Sequence, residues 1–403
     1  MNSKKIFHYS FFMIILAAEI TFLVSCSGPD KGSDHNSDDS SNTAKSIACS
    51  FEETDNGFYF VPAYDSEYLY YYDDNARSAV KVCGKANCVH DSGDCDARFG
   101  NAMFSSISAY TLQSYHGKIY LWNSSHTDGP HLYSADSDGK NHKDLGALKI
   151  DNARGQGGVE ASFISDNTAY VIAVAGISSL GYQYHRVYKR SIEAGAEAQL
   201  IFADEDEQSV EHRINQLRVD DGLVYFQDIA FYDGLDRLES RLYRYDPVKD
   251  ELRNILTLTD KQIYYTVKDG MIYYSAFNYA EQSYEEICCY DPENDESTSF
   301  CSAGGLITWD GKNFVIEEFV NEEELMPSAV TFVSPDGEKV CEIAFSQLTY
   351  DPSFSGISMS ESYVVTNTFD DSDNEIIRIF KKEDLLKGDL HFSELRYKMS
   401  YAN

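Results

Sequence analysis

Three thiols and an imidazole fall within one short run, Cys83-Gly84-Lys85-Ala86-Asn87-Cys88-Val89-His90-Asp91-Ser92-Gly93-Asp94-Cys95. Zinc takes four N/S ligands in a tetrahedron, so Cys83, Cys88, His90 and Cys95 can close a Cys₃His site around one structural zinc. Such a site leaves no position open for substrate and stabilises a loop that has no core of its own. In an oxidising compartment the same spacing permits a Cys88–Cys95 disulfide, and spacing alone does not separate the two readings. Neither implies catalysis. A further disulfide can join Cys288 or Cys289 to Cys301 across the turn at 292–296, since hairpin partners lie within bridging distance.

Other residue types that could do chemistry form no recognised constellation. The chain has no G-x-S-x-G elbow, no H-E-x-x-H and no G-x-x-x-x-G-K-[ST] loop. His116, His131, His185 and His212 fall singly in or beside strands and turns, where a lone imidazole is usually solvated or hydrogen-bonded. The acidic runs 136–141 and 370–375 bunch oxygen ligands but lack the helices and twelfth-position Glu of an EF-hand. Asp, Asn and Gly at such places suit tight turns better than calcium. No catalytic residue is assigned.

The elements that must carry these residues repeat. A polar or Gly-containing turn introduces a short apolar strand seven times, as in Asp221-Gly222 before Leu223-Val224-Tyr225-Phe226 and Asp269-Gly270 before Met271-Ile272-Tyr273-Tyr274. Each copy is followed by a second strand of the form apolar-Tyr-x-aromatic ending in an acidic turn, clearest in Leu242-Tyr243-Arg244-Tyr245-Asp246. With 30 Tyr and 23 Phe against 2 Trp and 8 Pro, the composition also favours pleated sheet. A period of roughly 40–50 residues predicts an all-β β-propeller of seven blades, each of four antiparallel strands, over 49–403. The Cys/His run, in the longest step, is expected to be an insertion at 83–95. A ring must close, and either 48–52 or 394–399 could supply the closing strand.

The amino terminus sets the address. Lys4 and Lys5 precede an apolar run, and 1–25 read as a secretory signal. The ending Leu23-Val24-Ser25-Cys26 resembles the lipobox of bacterial lipoproteins. That resemblance implies cleavage before Cys26, which would carry the lipid (palmitate). Residues 26–48, rich in Ser and Asp, are expected to be a flexible tether. With the lipobox in front, the repeating unit D-G-x-h-Y-Y … L-Y-x-Y-D (h for an apolar residue) resembles the propeller lipoproteins of Gram-positive anaerobes, which contain a domain related to low-density-lipoprotein-receptor-type propellers. The resemblance implies the fold and an extracytoplasmic, cell-surface location, with the membrane touched only through the lipid anchor. It implies no activity.

A formal net charge of −33 excludes ordinary nucleic-acid binding, which needs an excess of Lys and Arg. The leading expectation is a non-enzymatic, surface-anchored propeller that binds an extracellular protein or glycan. The alternative is an extracytoplasmic glycan hydrolase or lyase with carboxylates gathered at the propeller funnel, whose mark would be paired carboxylates roughly 5–10 Å apart.

Overall fold

The structure is a computed structural model and describes residues 45–46 and 51–398, apart from 63–64, 66, 92–94, 100–110, 124–127, 151–157, 178–182, 204–210, 233–236, 320–326, 350–355, 371 and 373. The expected signal 1–25, Cys26 and nearly all of the tether lie outside these residues. Of the tether only β1 (Lys45–Ser46) is described.

The chain is nearly all β. The first antiparallel meander is β2 (Phe51–Thr54), β3 (Gly57–Phe60), β4 (Tyr70–Asp73) and β5 (Ser78–Lys81). The second is β6 (Gln113–Tyr115), β7 (Lys118–Asn123), β8 (His131–Asp136) and β9 (Lys143–Ala147). The third is β10 (Val159–Ser165), β11 (Thr168–Ile177), β12 (Gln183–Ser191) and β13 (Ala198–Phe202). The fourth is β14 (Glu211–Asp220), β15 (Leu223–Tyr232), β16 (Arg237–Asp246) and β17 (Glu251–Thr259).

The fifth is β18 (Lys261–Lys268), β19 (Met271–Asn278), β21 (Ile287–Asp291) and β22 (Glu296–Cys301), with the short β20 (Ser283–Tyr284) beside β19. The sixth is β23 (Gly305–Trp309), β24 (Phe314–Glu318), β25 (Ala329–Val333) and β26 (Lys339–Ala344). The seventh is β27 (Gly356–Met359), β28 (Tyr363–Phe369), β29 (Glu375–Lys381) and β30 (Phe392–Tyr397). Two single-turn helices, α1 (Phe345–Leu348) and α2 (Lys382–Leu385), follow β26 and β29.

Turn chemistry explains why the first two strands of the second to fifth meanders pair as they do. His116-Gly117, Asp166-Asn167, Asp221-Gly222 and Asp269-Gly270 each place two successive residues at positive φ, the geometry of a two-residue type I′ hairpin. The acidic turns are satisfied locally: Asp246 Oδ1 accepts the amides of Val248 and Lys249, and Asp370 Oδ1 those of Ser372 and Asn374. These carboxylates cap turns, as the sequence suggests.

Packing runs between meanders rather than within one central core. Tyr59, Leu69 and Val82 of the first share a buried cluster with Ile119, Leu121 and Tyr133 of the second, and similar clusters join every later consecutive pair. The last also meets the first: Tyr363, Val365, Ile377 and Ile379 pack on Phe51, Phe58 and Phe60. No described strand crosses that junction, because β2 stays in the first sheet and β30 in the last. The described parts of both expected closing segments, 51–52 and 394–397, therefore belong to their own meanders. The third and fourth meanders are joined by one parallel pair, Tyr184 with His212, and β1 pairs with Arg218–Val219 of β14.

Candidate functional site

The thiols and the imidazole of the 83–95 run come together. One donor atom from each of Cys83, Cys88, His90 and Cys95 lies within 4.8 Å of all the others, the single such His/Cys/Asp/Glu group among the described residues. A tetrahedron with bonds of about 2.3 Å needs sulfurs roughly 3.8 Å apart, so the donor set fits zinc. His90 Nδ1 lies 3.2 Å from Cys95 Sγ.

The loop is folded to present these atoms. Asn87 and His90 both take positive φ. The Leu69 amide donates to the Ala97 carbonyl at 2.9 Å, the Val82 amide donates to the Leu69 carbonyl at 2.9 Å, and the Tyr68 hydroxyl donates to the His90 carbonyl at 2.7 Å. Burial would raise the Cys83 thiol, but the amides of Lys85 and Asp96 and the two neighbouring thiols lower it. Burial pushes Cys95 up to about 12. Metal binding would displace that proton and release the cost.

Register bears on the expected Cys288–Cys301 pairing but not on Cys289, which keeps the face of Ile287 that Cys301 shares. Cys288 and Cys301 are both free. A bulge sets Ile287 opposite Cys301 and Cys288 opposite Ser299, so Cys301 shares the face of Ile287 and Cys288 turns to the other face. Side chains on opposite faces of a sheet cannot be bridged without moving backbone. Cys83, Cys88 and Cys95 are likewise unbridged.

A second polar centre was not recognised from the sequence. The strands of the fourth meander are long, with 10 residues each in β14, β15 and β16, against 4 each in β2, β3 and β4. At the ends away from the type I′ turns, a chain of ionisable groups crosses the seam to the third meander. Glu160 Oε2 meets His185 Nε2 at 3.0 Å, and His185 Nδ1 donates to the His212 carbonyl at 3.2 Å. His212 Nδ1 meets Asp228 Oδ1 at 3.2 Å, and Arg241 reaches Asp228 Oδ2 at 3.7 Å and Glu239 at 2.9 Å.

Asp228 is fully buried, and His185 and His212 nearly so, whereas Tyr184 and Glu160 lead to the surface. Burial would lower the His185 imidazole, but Glu160 overrides it and leaves it above its ordinary value. Glu160 in turn sits below its usual range because the His185 and Arg213 cations outweigh its own burial. A His–Asp dyad beside a guanidinium can hold a proton-accepting imidazole in one orientation and neutralise developing negative charge.

One sequence signal does mark this region: 8 of the chain's 13 Arg, from Arg186 to Arg253, fall in these two meanders. Asp228 and Glu239 both approach the Arg241 guanidinium, at 3.7 and 2.9 Å, so this chain of groups does bring two carboxylates together, as expected of a glycosidase. Glu317, pushed up to about 8 by burial, is enclosed rather than set in a cleft. His131, by contrast, is an ordinary surface residue between Asp128 and Asp144, and His116 is a turn residue.

No family model matches the chain, and no curated protein sequence does. Its fold is shared with solved structures. A puromycin hydrolase superposes with a TM-score of 0.56 at 11% identity, over 92% of this chain and 57% of its own. A puromycin-hydrolyzing peptidase of Mycobacterium tuberculosis gives 0.55 at 8%, over 95% and 57%, and a prolyl endopeptidase gives 0.55 at 9%, over 87% and 50%. The chain thus spans about half the length of these proteins. These comparisons contradict the leading expectation of a non-enzymatic binding module: the three structures named are enzymes, though at 8–11% identity the likeness is one of fold alone.

Proposed function

We propose that the chain is a seven-bladed β-propeller enzyme acting on an extracytoplasmic glycan, as a hydrolase or lyase, from the end of the third and fourth blades. The cyclic succession of shared cores, last meander against first, supports the propeller. The fold shared with hydrolases supports an enzyme.

The observation that carries the chemistry is the buried His212–Asp228 dyad with Arg241 beside it. In this reading His212 is the general base, Asp228 fixes its tautomer, and Arg241 offsets charge at the reacting centre. A base with a cation suits proton abstraction next to a sugar carboxylate, the first step of a lyase. A glycosidase needs two carboxylates about 5–10 Å apart. Asp228 and Glu239 on Arg241 supply such a pair, so the reading covers hydrolase and lyase alike and the product distinguishes them.

The remaining assignments are proposals of the same kind. Cys83, Cys88, His90 and Cys95 hold one structural zinc, and Cys26 carries the lipid that anchors the chain at the cell surface. The convergence of the His90 imidazole with all three thiols favours zinc over a Cys88–Cys95 bridge.

The test is a panel of neutral and uronate-containing polysaccharides incubated with the purified chain. New reducing ends should appear together with the ultraviolet absorbance of a carbon–carbon double bond conjugated to a carboxylate. Reducing ends without that absorbance would move the reading to hydrolysis. His212→Gln and Asp228→Asn should each lower turnover by roughly 10²–10⁴-fold. No product on any polymer, or full activity in both variants, would overturn the assignment.

A further inference from the structure

The junction between the last and first meanders differs from a hydrogen-bonded closure. No described strand is exchanged across it, so side-chain packing holds it, led by Phe58 on Tyr363 at 5.4 Å and by Tyr397 on Tyr70 at 5.3 Å. At the turn face the same junction opens into a cleft of about 330 Å³ lined by Asp55, Asp74, Glu361, Lys381 and Lys382, with Lys312 of the sixth meander. Polar links across the junction include Lys381 with Asp74 at 2.6 Å, the Ser362 amide donating to Glu53 at 3.2 Å, and Tyr72 with Ser393.

The Cys/His loop lies on this junction. Cys95 and Ala97 are buried in the same cluster as Tyr363, Val365, Ile377 and Ile379, and Cys83 and Cys88 pack against it together with Leu395 and Tyr397 of the outermost strand of the last meander. At its two ends the loop is held on the other side of the first sheet, because Val82 and Phe99 belong to the cluster shared with the second meander. The four donors therefore tie together a segment that spans both faces of the first sheet.

We infer that metal occupancy of Cys83, Cys88, His90 and Cys95 is the latch that closes the ring between last and first blades, in place of an exchanged strand. The inference rests on the zinc reading above. Without the metal, the loop that carries Cys95 and Ala97 keeps its Leu69–Ala97 and Tyr68–His90 hydrogen bonds but loses the tie among its four donors, and the rim contacts of Leu395 and Tyr397 lose part of their backing. The other six junctions, which have no such loop among the described residues, should not respond.

The experiment measures zinc content of the purified chain, then hydrogen exchange before and after removal by a chelator. About one zinc per chain is expected. Its removal should speed exchange roughly tenfold or more in β2–β5 and β29–β30, while β14–β17 stay unchanged. Coupling is reciprocal, so Tyr397→Ala, which removes no ligand, should weaken zinc binding by up to the factor by which zinc tightens the junction.

The absence of stoichiometric zinc would overturn the zinc reading and the latch together. Bound zinc whose removal leaves exchange unchanged, or speeds it evenly in all seven meanders, would overturn the latch and leave the zinc reading intact. Unaltered zinc affinity in a folded Tyr397→Ala chain would do the same. Should that variant not fold, the chelation arm on the unmodified chain still decides.

Discussion

At the scale of single residues, the fold tolerates several charges where water does not reach, and each has a different solution. The Lys382 ammonium is buried but donates to the Ser360 carbonyl at 2.7 Å and pairs with Asp310 at 2.7 Å. Glu317 has no such help: its Oε2 lacks a hydrogen-bond partner, and burial raises its carboxyl to about 8. The folded chain therefore holds a proton that the unfolded chain releases near the ordinary glutamate range. Below that range Glu317 has no effect; as pH climbs toward about 8 stability falls by about 1.4 kcal/mol per pH unit, and then levels off. Glu317→Gln removes the dependence. Denaturant titrations at acidic, neutral and alkaline pH should show the variant gaining on the parent up to pH 8; a constant difference would mean that Glu317 is ionised in the fold.

At the scale of elements, turns and close approaches fix the register of each meander. Gly57 and Gly222 both take positive φ, but for different reasons. A Cβ at Gly57 would overlap the Tyr72 carbonyl oxygen of the facing strand, whereas a Cβ at Gly222 meets nothing within 4 Å. Gly222→Ala thus costs only the left-handed backbone, about 1 kcal/mol. Gly57→Ala must also push β3 and β4 apart, so its loss of stability in chemical denaturation should be at least twice as large. Equal losses would show that the strand pair yields freely there. Elements also decide what a motif becomes. The thirteen-residue Cys/His run could be read in advance because its ligands are neighbours in sequence. The chain from Glu160 through His185, His212 and Asp228 to Arg241 could not, because cross-strand register and one parallel seam assemble it from five strands.

At the scale of the whole molecule, a net charge of −33 works against compactness, and few of its acidic groups are paired in buried sites. Raising salt from about 0.01 to about 0.15 M shortens the screening length from roughly 30 to 8 Å. The midpoint of thermal unfolding should therefore rise with sodium chloride; a fall would mean that favourable ion pairs such as Lys118–Asp136 outweigh the self-repulsion. The sequence alone determined the repeating unit, since a two-residue turn between alternating strands is a local choice set by Asp, Asn and Gly. It also determined the thiol–imidazole cluster, for the same reason of proximity. Tertiary structure alone decided the rest: that the first and last meanders meet without exchanging a strand, that Cys288 and Cys301 face apart across a bulge, and that two histidines which look ordinary in the chain join a buried network of carboxylates and arginines. Each of these depends on register and packing between distant segments, and a linear pattern carries no record of which strand end will stand beside which.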